Sequence, residues 1–161
     1  MFKVLESLLR LYTRKEKPTQ TNTLEILKTS YQDLSRLAQQ IYNHAEKAPY
    51  PYVAKQLRLI AEQKHLSAGL LKNEILKSGS QPEESKSEVK SGNNNWERIT
   101  RDLEDQRELE SQLLRYAAIL VEEAPEMSEL LKRIVAEQAP HRTSLLDIVA
   151  RADPQANLSG L

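Results

Sequence analysis

The sequence contains no cysteine among its 161 residues. That excludes disulfides, thiolate metal sites, iron held by cysteine ligands and thiol chemistry. Glycine (4), proline (7) and aromatic residues (5%) are scarce. A β-sandwich or barrel would need more turn residues and more β-branched or aromatic ones. Charge of one sign is also missing: Lys+Arg and Asp+Glu are both 23, so no surplus points to nucleic acid or an anionic membrane. No stretch approaches the roughly 20 apolar residues that span a bilayer. What is there, 29% charged and 39% hydrophobic residues, suits long amphipathic helices around one core.

Residues 1–20 form an amphipathic arm that begins Met1-Phe2-Lys3-Val4-Leu5-Glu6. Glu6 and Arg10 interrupt its apolar stretch and no small-residue cleavage site follows, so it is a poor signal peptide and the chain is read as cytoplasmic. The arm is expected to be a short helix docked on the bundle or on a partner subunit. Arg14, Lys15 and Lys17 give membrane-surface contact as the lesser reading.

Pro18 to Thr21 should separate the arm from the bundle, and Asn22 with Glu25 is a capping-box pattern that predicts a helix start. Apolar positions then follow at Leu24, Leu27, Tyr31, Leu34, Ala38, Ile41 and Ala45, in steps of 3 and 4. Pro49 and Pro51 end that helix. A second helix, Tyr52 to about Lys77, has one stripe at Ala54, Leu57, Ala61, Ala68, Leu71 and Ile75, and another at Leu59, Leu66 and Leu70. A helix apolar on two sides is buried twice or meets another subunit, so a homo-oligomer, a dimer or larger, is expected. Residues 79–95 are polar and read as a mobile linker. Asn95 is the expected cap of a third helix with its seam at Trp96, Ile99, Leu103, Gln106, Glu110, Leu113, Ala117 and Leu120. Pro125 marks the turn, and the fourth helix follows with Met127, Leu131, Ile134, Gln138, His141, Leu145 and Ile148 inside. The expected architecture is all-α: an antiparallel four-helix bundle over 21–152, made of hairpins 22–78 and 96–152, with a tail at 153–161.

The two hairpins look duplicated. Glu46-Lys47-Ala48-Pro49 resembles Glu122-Glu123-Ala124-Pro125, and Leu59-Ile60-Ala61-Glu62-Gln63 resembles Ile134-Val135-Ala136-Glu137-Gln138. His65 follows the first match and His141 the second, one residue farther on because of Pro140. That insertion predicts a kink or π-bulge around Ala136 to His141.

Both seams of the second hairpin turn polar at one level: Gln106 and Glu110 in the third helix, Gln138 and His141 in the fourth. Polar groups in a core need partners in one another, water or a metal. The second helix adds Glu62 and His65, an E-x-x-H pair able to grip one ion. The tyrosines Tyr31, Tyr42 and Tyr116 should pack with their hydroxyls at a boundary, and His44, beside the seam, should be exposed.

On these residues, with Ala61-Glu62-Gln63-Lys64-His65, Asp102-Leu103 and His141, the chain resembles the ferritin-like superfamily of bacterioferritin and rubrerythrin-type bundles. The resemblance covers about Asn22 to Ala152. It implies a di-iron site with one Glu from each of the first and third helices, and a Glu and a His from each of the second and fourth. Carried over, the first carboxylate falls at Leu34, with Asp33 adjacent. The second helix keeps Glu62 and His65. The third places Gln106 at the carboxylate, with Glu110 a turn away. The fourth places Gln138 there, with Glu137 beside it, and keeps His141. Two iron ions need bridging carboxylates to balance charge; a neutral amide balances none and Leu34 cannot bind.

Two readings follow. In one, the bundle has lost di-iron chemistry, its motif being degenerate, and acts as a binding or structural module without a metal. In the other, Glu62, His65, Glu110, Glu137 and His141 hold a single ion of iron, manganese or zinc for oxidoreductase chemistry or iron handling.

Overall fold

A computed structural model describes residues 2–151, with side chains from Asn22 onward. The described residues form four helices: α1 (Phe2–Lys47), α2 (Pro51–Lys77), α3 (Asn95–Leu120) and α4 (Pro125–Arg151). No strand occurs among the described residues. In cross-section α1 lies beside α2 and α3, and α4 beside α3 and α2. Every neighbouring pair runs antiparallel. His44 meets Asp102 while Arg36 meets Asp105, and Gln63 meets His141 while Ser67 meets Glu137.

The seams explain this packing. Leu27, Leu34, Leu57, Leu71, Ile99, Leu113, Leu131, Ile134 and Leu145 all lie in one buried cluster. Each such side chain contributes about 1.5–3 kcal/mol when fully withdrawn from water. The ends are set locally. Pro51 occupies the first turn of α2, where its missing N–H is not needed. Gly79, at φ +78°, ends α2 in the left-handed region, with the N–H groups of Gly79 and Ser80 returning to the carbonyls of Leu76 and Ile75. Asn94 caps α3, its side chain accepting from the Glu97 N–H at 2.8 Å. Glu97 in turn accepts from the N–H of Asn93.

Several expectations need correcting. Asn22 is not a helix start: α1 is one element from Phe2 to Lys47, and Asn22 stands inside it. The docking of the arm's side chains, and the tail at 153–161, lie outside the described residues. The α3 cap is Asn94, one residue before the expected Asn95. Pro140 makes no π-turn, and α4 is α-helical throughout. Pro140 and Ala136 are both exposed, so the carbonyl that loses its donor faces water and the helix continues. The crossover at 78–94 is not loose along its whole length. It runs from the end of α2 to the other end of the bundle, where Arg98 reaches the Lys47 carbonyl, and it is tied down at Lys90 on the way.

Candidate functional site

The centre of the buried face of α2 is a lysine. Leu57, Lys64 and Leu71 are seven residues apart and all fully buried, flanked by Ile60, Ala61, Ser67 and Ala68. Lys64 Nζ donates to Gln106 Oε1 and Gln138 Oε1 and lies 3.3 Å from His141 Nδ1. Three acceptors for three N–H bonds is the geometry of an ammonium. None of the three carries full charge, so burial dominates and pulls the Lys64 pKa from 10.5 to about 7; the charges of Glu110 and Asp102 act against it.

The His141 tautomer follows from its neighbours. An amide oxygen can only accept, so Nε2–H donates to Gln63 Oε1 at 2.7 Å, and Nδ1 is left bare to accept from Lys64. Burial, and then the charge of Lys64, push the His141 pKa from 6.5 down to about 3. Gln106 Nε2 closes the layer on the Gln138 carbonyl at 3.4 Å. His141 also lines a groove of 540 Å³ between α2 and α4, with Gln63, Leu66, Ser67, Leu70, Glu137 and Pro140.

The other candidate ligands are dispersed. Glu62 and His65 are exposed on the outer side of α2. Glu137 is exposed and accepts from Ser67 Oγ at 3.2 Å. Glu110 is buried. One of its carboxylate oxygens stands 3.6 Å from Arg142, and the other has no protein partner. Leu34 is fully buried in the apolar cluster. Among the described residues no three His, Asp or Glu side chains converge as a metal site. The residues present therefore do not fit a pair of iron ions. Three positions that the resemblance gives to ligands, Gln106, Gln138 and His141, face the ammonium of Lys64 and offer no carboxylate.

A second polar layer lies between α1 and α3, under the crossover. The expectation that His44 is exposed is wrong: it is 1% exposed, with Nδ1 2.7 Å from Asp102 Oδ2 and Nε2 3.1 Å from the Lys90 carbonyl. Gln40 Nε2 donates to Asp102 Oδ1 and Asp105 Oδ2, and Gln40 Oε1 accepts from the Lys90 N–H and from Arg36. Lys90 Nζ donates to Asp105 Oδ1 at 2.7 Å. Burial raises the Asp102 pKa, while the hydrogen bond and charge of His44 and the Gln40 amide oppose the rise and the charge of Asp105 adds to it. The sequence carried one signal of this layer: Ile26, Ser30, Leu37, Gln40 and His44 form a second buried row on α1.

No protein-family model matches the sequence, and no curated protein is similar to it. Among solved structures, the fold is similar to Desulfovibrio desulfuricans bacterioferritin, whose diiron site was examined in different catalytic states. That likeness has a TM-score of 0.78 and 17% identity, and covers 89% of this chain and 87% of that one. No helix of the described residues is long and apolar enough to cross a membrane. Four antiparallel helices, the long crossover and this similarity together give the chain the ferritin-like fold.

Proposed function

We propose that this chain is a ferritin-like bundle that works as a binding or structural module in the cytoplasm, and that it has given up di-iron chemistry. One observation carries the reading: the ammonium of Lys64 is bound by Gln106, Gln138 and His141. The core cation is thus part of the chain. A metal ion entering there would meet a like charge, two neutral amides and one imidazole.

The module reading also draws on the outer row of α2. Tyr52, Leu59, Leu66 and Leu70 are exposed large hydrophobic residues on one side of that helix, with the neutral amides Gln56 and Gln63 beside them. Depletion of charge around exposed apolar residues is a mark of interface cores, and it supports assembly of copies into a dimer or larger oligomer.

The test is metal analysis of protein purified without chelator and then supplied with iron(II), manganese(II) or zinc(II). The expected result is no stoichiometric binding, and no difference between the wild type and His141→Ala. One or two ions per chain, lost in His141→Ala, would restore the altered metal site built on Glu62, His65, Glu110, Glu137 and His141.

A further inference from the structure

The crossover is fastened at Lys90 to side chains that the Lys64 layer does not use. The Lys90 N–H donates to Gln40 Oε1 at 3.0 Å, its carbonyl lies 3.1 Å from His44 Nε2, and its ammonium donates to Asp105 Oδ1. The charged groups around His44 come from every neighbouring element: Arg36 on α1, Asp102 and Asp105 on α3, and Lys90 on the crossover. From α2, Lys64 acts on Asp102 through space.

A carbonyl can only accept, so the 3.1 Å contact to Lys90 requires a hydrogen on His44 Nε2. The 2.7 Å contact between Nδ1 and Asp102 Oδ2 requires another hydrogen, on either atom. Ring and carboxyl together therefore hold one proton more than a neutral imidazole and a carboxylate. Take that proton away and one N–H is left for two acceptors. The bond to the ionised, buried Asp102 is charge-assisted and stronger than the bond to a carbonyl, so the hydrogen goes to Nδ1. A bare Nε2 lone pair then faces the Lys90 oxygen.

We propose that this shared proton is a latch. While it is present, the crossover is held on the seam between α1 and α3; its loss as pH rises frees the segment around Lys90 while the four helices stay packed. The helices do not need the contact, because their packing rests on the apolar cluster. The freed carbonyl can turn to water, since Lys90 is exposed.

The test is amide hydrogen exchange over residues 88–92 in the full chain, comparing wild type with His44→Gln at matched pH so that intrinsic exchange cancels. At mildly acidic pH the wild type should exchange about tenfold more slowly, the factor that one hydrogen bond of about 1.4 kcal/mol represents. The ratio should fall towards one as pH rises. A ratio that does not change with pH, or that is one throughout, overturns the latch. Titration of Lys64 persists in His44→Gln and cannot mimic that result. If His44→Gln does not fold, the wild type decides by itself. Trp96 is the single tryptophan and shares a cleft of 420 Å³ with Lys90. Its fluorescence, the His44 ring resonances and exchange at residues 88–92 should change at one pH midpoint, and separate midpoints overturn the proposal.

Discussion

The two polar layers of this bundle bury charge in different ways. Around Lys64 a single cation meets neutral acceptors, and the acids Glu110 and Asp102 act on it only through space. Around His44 and Asp102, acids and bases touch: Asp105 has Lys90 and Arg36, Asp102 has His44, and Gln40 bridges both acids. The first layer gives Lys64 three acceptors but is poor in countercharge, and it leaves Gln138 Nε2 buried without a partner. The second is rich in both hydrogen bonds and countercharge. Hydrogen-bond satisfaction and charge compensation are separate requirements, and only the second layer meets both.

The sharpest way to break this contrast is to remove one partner from the compensated layer. Asp102→Ala should lower stability by about 3–5 kcal/mol, because a buried His44 loses its acidic partner and the Gln40 amide loses one of its two acceptors; a denaturant melt measures it. Next is Lys64→Met. It removes a poorly compensated cation but leaves three acceptors bare, so a smaller loss of about 1–2 kcal/mol near neutral pH is expected.

The pH dependence separates the layers further. The pKa of Lys64 falls from 10.5 in the unfolded chain to about 7 in the folded one. Between those values the unfolded chain binds more protons. Stability should therefore rise with pH across that window and be lost as pH falls back to about 7. Chemical denaturation at several pH values should show this rise in the wild type and its absence in Lys64→Met. His141→Ala should cost about 1–3 kcal/mol, since Lys64 loses an acceptor and Gln63 a donor. The smallest effect is expected of Glu62→Ala with His65→Ala: within about 0.5 kcal/mol, as for exposed helix positions. A large loss of stability there would contradict their outward orientation.

The fold was legible because alternating steps of 3 and 4 recur in all four helices and prolines mark the hairpin turns. Gln106, Gln138 and His141 could be read as inward-facing because each interrupts an otherwise apolar seam. Lys64 was harder. The stripe on α2 has a gap between Ala61 and Ala68, and either residue 64 or 65 can fill it. The alternation seen elsewhere selects 64, whereas a metal-ligand reading selects His65. The cost of burying a lysine also argues against choosing it until its three acceptors are seen. Of the His44 layer only the row on α1 left a trace in the sequence. Its groups come from positions 40–44, 90 and 102–105, and the crossover has no periodicity that would place Lys90 against α1.

The cation in this core is an amine of the chain, and nitrogen-15 NMR of the Lys64 side chain can see it. Expected is an ammonium coupled to Gln106, Gln138 and His141 that titrates near pH 7, with the same midpoint before and after addition of zinc(II). A Lys64 signal that moves to a solvent-exposed shift on metal addition, with the His141 ring bound to the ion, would contradict it.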